Sequence, residues 1–324
     1  MIQDPALKTT AATLPDLINA RWAESTHRKY QSAWEKWTQW CSLYPESSIL
    51  TANPFYIALY INDMVSEGCK FGALDAAASA IRYGHIIAGL PSPMENMFLK
   101  TVLEGAKRIV GKNTVKNQKE PVTTELIKSI VNFYKESENL VHHRFIIVCL
   151  IGFAGFLRIS ELLEIHVGDL AFEETCLKIV IPKSKNDQVR EGHVVFISRS
   201  NSPYCPVTWL ERYLSKTKLD QDEGNHVICR LAKTRIGHNA IGKRPIADTT
   251  LREDFSHLIS PLCPESESYS LHSLRSGGAS AAINSGVSER LVGKHGRWKS
   301  GFSRDRYLKD DKKGRLSVTK AINL

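Results

Sequence analysis

The sequence predicts a mainly α-helical protein with a small antiparallel sheet, an α+β fold, organised in two domains. The chain has 324 residues, of which 42% are hydrophobic and 24% are charged. This composition is typical of a soluble globular protein with about two domains, at ~150 residues per domain. Residues 1–112 carry apolar residues at helical spacing, whereas short β-branched runs appear between helical segments after residue 121.

The first predicted domain covers residues 1–112 and is helical throughout. A helix that starts after Ser25 or Thr26 carries Trp34 and Trp37 at helical spacing, and we expect these tryptophans to pack in the core. Three further helices are predicted at about 54–66, 72–89 and 94–110. Residues 113–121 are a predicted linker, because this stretch is polar, basic and nearly devoid of aliphatic residues.

The second predicted domain covers residues 122–324. Its longest apolar run, 145–157, is shorter than the ~18 residues of a membrane span and predicts a buried helix. The β-branched runs at 177–181 and 193–197 predict two strands around a long basic turn, and 167–170 could add a third strand to this one sheet. Further helices are predicted from Thr123 or Thr124 and at about 207–215, 249–259, 271–285 and 289–294.

Charge and cysteine usage favour an intracellular protein that binds a polyanion. The net charge is +9, and Lys and Arg exceed Asp and Glu by one in residues 1–112 but by eight in the remainder. Neutralising phosphates releases counterions, so this excess favours nucleic acid as the partner. Seven cysteines without a C-x-x-C pair predict reduced thiols and no clustered zinc site. Nothing at the N-terminus has the pattern of a secretory signal.

The chemistry that the sequence allows is narrow. The nucleophile elbow, the phosphate-binding P-loop, the dinucleotide fingerprint and the H-E-x-x-H zinc motif are all absent. His272 and Arg275 lie one helical turn apart, so both can reach one small anion. If Arg158 closes on the same phosphate, two guanidinium groups can stabilise charge at phosphorus without a metal ion, and a tyrosine hydroxyl could attack.

The order of these residues resembles the tyrosine recombinase, or phage integrase, family. GFLRISELLEIHVGDL at 155–170 is similar to the first conserved box of that family, and LHSLRSGGASAAINSG at 271–286 is similar to the start of its second box. In GKHGRWKSGFSRDRYL, Trp298 precedes Tyr307 by nine residues, as the His/Trp position of the family precedes its nucleophile. The short boxes FLRISEL, KSKNDQ and GRWKS also resemble the recombinases of DIRS-like retrotransposons.

The resemblance implies a helical core-binding domain that binds DNA, followed by a catalytic domain. The implied site consists of Arg158 and Arg275 on the scissile phosphate, Lys185 as the acid for the 5′ oxygen, His272 as general acid/base, Trp298 as an indole N–H donor and Tyr307 as nucleophile. Strands would be cleaved and rejoined through a 3′-phosphotyrosine, without a metal, a cofactor or ATP. Double-stranded DNA is the implied partner, and a homo-tetramer on DNA is the implied assembly.

Three departures from the family pattern leave alternatives open. The family usually has Gly two residues before its first Arg, whereas Gly155 precedes Arg158 by three residues. His295 competes with Trp298, and counting back from Tyr307 favours Trp298. Lys183 competes with Lys185 on the same face of an extended strand; the hairpin turn decides which one reaches the phosphate, and we favour Lys185.

Two other functions remain open: a type IB topoisomerase-like enzyme that nicks and reseals, and a catalytically silent DNA-binding module. The recombinase would reside in the nucleus of a eukaryote or in the cytoplasm and nucleoid of a prokaryote.

Overall fold

The described residues, 3–112, 119–181, 192–235 and 237–321 of a computed structural model, form α-helices and two antiparallel sheets. The chain divides into two compact units, Met1–Lys116 and Asn117–Leu324. Most of the predicted linker, 113–118, lies outside the described residues. No helix in the described ranges combines the length and the apolar character needed to cross a bilayer.

Helices make up the first unit. They are α1 (Pro5–Asn19), α2 (Glu24–Leu43), α3 (Pro54–Ser66), α4 (Phe71–Ile87) and α5 (Met97–Lys112). Asn53 caps α3 by accepting a hydrogen bond from the Phe55 N–H, and proline takes the first helical position, where no donor is needed. The sequence analysis did not predict α1, which contains three threonines and Pro15, residues with low helix propensity.

The core of the first unit is built around Trp37, which is fully buried. The Trp37 and Trp40 rings stack with their centroids 5.6 Å apart, and Trp34 packs against the same core. The two indole N–H groups donate to the Ile49 carbonyl and to the Asp63 carboxylate, at 3.2 and 2.9 Å. The tryptophans are therefore structural, as their helical spacing predicted.

The second unit combines helices with both sheets. Its helices are α6 (Thr124–Tyr134), α7 (Leu140–Ala154), α8 (Ile159–Glu164), α9 (Pro206–Thr217), α10 (Asp248–Ile259), α11 (Leu271–Asn284), α12 (Glu289–His295), α13 (Gly301–Asp305) and α14 (Lys312–Ala321). Its strands are β1 (Leu170–Phe172), β2 (Cys176–Ile181), β3 (His193–Ser198), β4 (Cys229–Thr234) and β5 (Gly237–Pro245).

Helix α7 forms the centre of the second unit. It is buried from His143 to Gly152 and packs against α6, α9, α10 and α11, which explains why its sequence is apolar on every side. The helix ends at Ala154, three residues before the predicted end at Leu157, because Phe156 adopts a left-handed φ of 47°. This early end separates Arg158 from α7 and places it ahead of a new helix.

The three-stranded sheet has the order β1-β2-β3, and both strand pairs are antiparallel. Strands β2 and β3 correspond to the two predicted strands. A third strand joins this sheet as expected, but its predicted bounds of 167–170 were wrong, since Val167–Asp169 form a 3₁₀ turn and β1 starts at Leu170. The Asp169 carboxylate accepts the His166 N–H at 2.8 Å and thereby closes this turn.

The prediction of one sheet was also wrong, because β4 and β5 form a second antiparallel pair. Charged and polar residues interrupt these strands, and Leu231 and Ala240, which oppose each other in the register, are only half-buried. Neither strand contains the β-branched run that identified β2 and β3 in the sequence. A weakly apolar hairpin of this kind lacks a clear period-two signal.

Candidate active site

Arg158 lies directly before α8, at its N-cap position. Its backbone N–H donates to Glu161 Oε2 at 2.9 Å, and its Nη1 pairs with Glu161 Oε1 at 2.5 Å. The Arg158 side chain is 12% exposed, whereas that of Glu161 is 1% exposed. The carboxylate therefore fixes the backbone and the guanidinium of Arg158, while part of the side chain stays accessible.

Arg275 reaches the same carboxylate from α11. Close packing between helices is possible here because α11 carries Gly277 and Gly278; a Cβ on Gly278 would lie 2.1 Å from the Phe153 carbonyl oxygen of α7. Arg275 is fully buried, and its Nη1 lies 3.9 Å from Glu161 Oε2. The two arginines, distant in the sequence, thus meet at Glu161.

The guanidinium of Arg275 is also held by backbone carbonyl groups. Its Nη1 donates to the carbonyl of Phe156 and its Nη2 donates to the carbonyl of Gly296. A guanidinium carries five N–H donors, so these two bonds leave donors available for an anion. Burial, together with the positive charges of Arg158 and Arg297, lowers the pKa of Arg275. An incoming anion would offset this unfavourable environment.

Glu161 and Arg297 complete the charged cluster, and the sequence analysis did not select either residue. Arg297 Nη2 pairs with Glu161 Oε2 at 2.7 Å, and the Arg297 side chain is 3% exposed. Burial alone would raise the pKa of Glu161, but the charges of Arg297, Arg158 and Arg275 and the Arg158 N–H lower it overall. Three cations around one carboxylate leave an excess of positive charge, which favours a bound anion.

The Tyr307 ring lies over this cluster in the same chain. Its centroid is 5.4 Å from the Arg275 guanidinium carbon, 5.3 Å from the Trp298 ring and 5.0 Å from the His272 ring. Trp298 itself lies over Arg275 at 4.2 Å. The structure therefore brings together five of the predicted site residues.

The backbone around Tyr307 is anchored on both sides. Ser280 of α11 donates to the Tyr307 carbonyl at 3.4 Å and accepts the Lys309 N–H at 2.9 Å. Before the tyrosine, Arg304 pairs with Glu289 of α12 at 2.5 Å. These contacts hold the short α13 segment against α11, which carries Arg275, and against α12, which precedes the turn with Trp298.

A cleft of about 690 Å³ opens beside Tyr307. Its lining combines cationic, polar and apolar residues and one carboxylate, and consists of Lys119, Glu120, Pro121, Ser270, His272, Ser273, Ser276, Ser303, Arg306, Tyr307, Leu308 and Lys309. His272 is exposed in this cleft, in the first turn of α11. Solvent and a ligand can therefore reach the histidine and the tyrosine from the same side.

Trp298 and His295 occupy different positions. Trp298 packs against Arg275 and Tyr307, and its buried Nε1 has no hydrogen-bond partner within the described ranges. His295 points to the end of α7, where its Nε2 lies 2.9 Å from the carbonyl oxygen of Ala154. Of the two competing residues, Trp298 is the one that has a donor to offer beside Tyr307.

Lys183 and Lys185 lie outside the described residues, which resume at Gly192. The residues that the sequence reasoning missed had weak signals. Glu161 follows Arg158 by three residues at the start of a helix, a common position for a capping carboxylate. Arg297 precedes Trp298 in a stretch that is basic throughout, so nothing in the sequence separates it from the neighbouring surface cations.

Comparison with known proteins agrees with this geometry. The model of the phage integrase family matches residues 120–313. An integrase/recombinase xerD homolog from Selenomonas ruminantium is 25% identical over 305 residues, which cover 93% of this chain and 85% of that protein.

Solved structures share the fold. The XerH site-specific recombinase bound to a palindromic difH substrate has a TM-score of 0.57 at 15% identity, covering 83% of this chain and 72% of that chain. The Tn1549 transposon integrase in complex with transposon right end DNA has a TM-score of 0.54 at 12% identity, covering 84% and 86%. Since the family model matches more than half of the residues, the chain belongs to the phage integrase family, the tyrosine recombinases.

Proposed function

We propose that this tyrosine recombinase is a site-specific DNA recombinase or integrase that cleaves and rejoins strands through Tyr307. The main support for this proposal is the position of Tyr307. Its ring centroid lies 5.4 Å from the Arg275 guanidinium carbon and 5.0 Å from the His272 ring centroid. A nucleophile, a proton acceptor and a cation for the phosphate are thus contributed by one chain. This arrangement suits covalent catalysis by a tyrosine hydroxyl.

In the proposed cleavage step, the Tyr307 hydroxyl oxygen attacks phosphorus, and His272 accepts the phenolic proton. The bond between phosphorus and the 5′ oxygen breaks, and Lys185 donates a proton to the departing oxygen. The product is a 3′-phosphotyrosine ester and a 5′-hydroxyl. One phosphoester replaces another, so the 5′-hydroxyl of a partner strand can reverse the step and rejoin the DNA without ATP.

The arginines stabilise the charge that develops on the non-bridging oxygens during this step. Arg158 keeps part of its side chain accessible, and Arg275 keeps donors that its two carbonyl partners do not use. Trp298 would add its unpaired indole N–H as a further donor. Removing one oriented donor to a developing oxyanion typically costs about 3 to 4 kcal/mol of transition-state stabilisation.

The partner that we propose is double-stranded DNA. The net charge of +9 and the basic stretch at 290–320 favour phosphate binding. The XerH and Tn1549 integrase structures contain DNA, and the lambda integrase structure is a dimer bound to a core site. Exchange between two duplexes requires four strand cleavages, so we propose a tetramer on DNA.

Action on genomic DNA would place the protein inside the cell, in the nucleus or the nucleoid.

The test uses a pool of nicked duplexes with randomised sequence, in which cleavage releases a short fragment and traps the covalent adduct. We expect an adduct that resists SDS with the wild-type protein and none with Tyr307→Phe. The matched control is Tyr269→Phe, which removes the hydroxyl of a half-buried tyrosine outside the cluster and should leave the adduct intact. Sequencing the trapped DNA recovers the target site.

Adduct trapping, followed by relaxation and recombination assays on the recovered sites, distinguishes the alternatives. An adduct that persists in Tyr307→Phe would place the nucleophile elsewhere. Relaxation of supercoils without recombinant product from two recovered sites would favour a topoisomerase-like enzyme. DNA binding without any adduct would identify a catalytically silent module.

A further inference from the structure

The Arg297 guanidinium donates hydrogen bonds to three backbone carbonyls and one carboxylate of the same chain. Its Nη1 donates to the carbonyls of His295 and Gly155 at 2.8 and 3.4 Å. Its Nη2 donates to the Phe156 carbonyl at 3.1 Å and to Glu161 Oε2 at 2.7 Å. The four terminal N–H groups of this guanidinium therefore all have acceptors. Its Nε is buried without a partner in the described part of the chain.

The contacts of Arg297 differ from those of Arg275 in one respect that matters for catalysis. Arg275 donates to two carbonyls and lies 3.9 Å from Glu161, so it retains donors for a phosphate. Arg297 has used its terminal donors, and its side chain is 3% exposed. Arg297 is thus placed to hold other residues, and it has no terminal donor left for DNA.

The Phe156 carbonyl is the point where the two arginines meet. Arg275 Nη1 and Arg297 Nη2 both donate to this oxygen. Phe156 has a φ of 47°, a left-handed conformation that residues with a Cβ rarely adopt. Here a phenylalanine takes the left-handed conformation, and two guanidinium groups bind its carbonyl.

The Phe156 side chain extends the same contact to Trp298 and His295. Its ring centroid is 4.6 Å from His295 and 6.4 Å from Trp298. Arg297 is itself left-handed, with a φ of 57°, and directly precedes Trp298. The turn that presents Arg158 and the turn that presents Trp298 are therefore connected through one arginine and one carbonyl.

We infer that Arg297 is a positioning residue for strand cleavage: it binds Glu161 and the Phe156 carbonyl, and so fixes Arg158 and Trp298 against the scissile phosphate. The inference rests on the proposed function, because it assigns Arg297 to the same reaction. Glu161 transmits the effect to Arg158, which it binds through both carboxylate oxygens. A displacement of about 1 Å in such a site can reduce the rate about 100-fold.

The test compares Arg297→Met with a matched control, Arg144→Ala. Arg144 is also a buried arginine of the second unit, and it binds one carbonyl, that of Cys229, and one carboxylate, that of Asp254. We expect Arg297→Met to bind a recovered target duplex with nearly wild-type affinity and to form the adduct about 100-fold more slowly. Arg144→Ala should lose stability and keep its cleavage rate under conditions where it is folded.

A pH profile separates positioning through Glu161 from a general loss of structure. The charged groups around Glu161 are Arg158 on its own turn, Arg275 from α11 and Arg297 from the turn after α12. His295, at the end of α12, is the titratable group that interacts with Arg297 and Arg275. Without Arg297, Glu161 loses its closest α12 partner and becomes easier to protonate. We expect cleavage by Arg297→Met to decline at acidic pH more than cleavage by the wild type.

The double variant Arg297→Met/Glu161→Gln should lack this additional acidic decline. A decline that persists in the double variant would assign it to His295 and overturn the role of Glu161. Wild-type cleavage by Arg297→Met, or an equal loss of binding and cleavage, would overturn the inference itself. If Arg297→Met does not fold, Arg297→Lys decides the question: it keeps the charge but not the four donors, and should cleave slowly while binding DNA normally.

The inference and the proposed function can fail separately. A wild-type protein that forms no adduct refutes the proposed function. The coupling between Arg297 and Glu161 is then measured without DNA, from a double-mutant cycle on urea unfolding. Additive effects of the two substitutions would show that the contact does not hold the turns together, whereas strong non-additivity supports it.

Discussion

The guanidinium carbon of Arg275 lies 5.4 Å from the centroid of the Tyr307 ring, and both belong to one chain. The residues between them include α12 and α13, and Arg304 ties the segment before Tyr307 to Glu289. The proposed nucleophile therefore lies next to the proposed phosphate-binding arginine of its own subunit, and this arrangement predicts how subunits share the chemistry in an assembly on DNA.

We expect cleavage in cis. A mixture of Tyr307→Phe with Arg275→Ala should remain inactive, because neither subunit contains a complete set of site residues. The measurement is adduct formation on a recovered target duplex, with each variant alone as the control. Restored activity in the mixture would mean that Tyr307 is delivered to a neighbouring subunit.

Arg158→Ala and Arg275→Ala should separate binding from chemistry. Each substitution removes a donor to the developing charge, so we expect cleavage to fall by about 3 to 4 kcal/mol, or roughly 10²- to 10³-fold. Binding depends on many other phosphate contacts and should decline much less. Cleavage rate and dissociation constant are measured on the same duplex, and an equal loss of both would identify these arginines as binding residues.

Gly278→Ala should disrupt the packing of α11 on α7. The added Cβ would lie 2.1 Å from the Phe153 carbonyl oxygen and 2.7 Å from the Phe156 ring. Such overpacking typically lowers the free energy of unfolding by about 1 to 3 kcal/mol. Because the clashing oxygen belongs to the backbone and cannot easily move aside, we expect a loss near the upper end of this range. Gly105→Ala in α5 is the control, since its Cβ would meet nothing within 4 Å and should slightly stabilise that helix. Thermal unfolding of both variants provides the comparison.

Much of the fold could be predicted because its signals are local. The apolar run that became α7 and the β-branched runs of β2 and β3 are visible in short windows of sequence. The hairpin of β4 and β5 was missed, since its strands lack a regular apolar alternation and most of their side chains are half-buried or exposed.

Part of the candidate site could be predicted from the sequence, from the spacing of residues along a helix and from the family resemblance. His272 and Arg275 share a helical face, which their spacing indicated, whereas Trp298 and Tyr307 were selected from the resemblance to the tyrosine recombinase family. Glu161 and Arg297 were not selected, because their roles depend on a contact between α8 and the end of α12 that no local pattern encodes. The catalytic roles of all the predicted site residues, Lys185 included, and the likeness to the DIRS-like branch stay predictions.

His295 should make the folded state sensitive to acid. Burial, together with the charges of Arg297 and Arg275, lowers the pKa of His295 despite its bond to the Ala154 carbonyl. The unfolded chain then binds a proton at higher pH than the folded protein does, so stability falls as the pH drops below the ordinary histidine value of about 6.5. Urea unfolding at pH 7.5, 6.0 and 5.0 should show a smaller decline in His295→Gln than in the wild type. Identical slopes would exclude His295 as the titrating group.

Cleavage should proceed in the presence of EDTA. In the proposed mechanism, Arg158 and Arg275 supply the positive charge that a divalent metal supplies in other phosphoryl-transfer sites. Affinity for DNA should instead depend on monovalent salt, because phosphate contacts release counterions. The measurement is the rate of adduct formation at constant ionic strength, with and without EDTA. A strict requirement for Mg²⁺ would contradict this mechanism, because it would show that Arg158 and Arg275 do not supply enough positive charge at the phosphate by themselves.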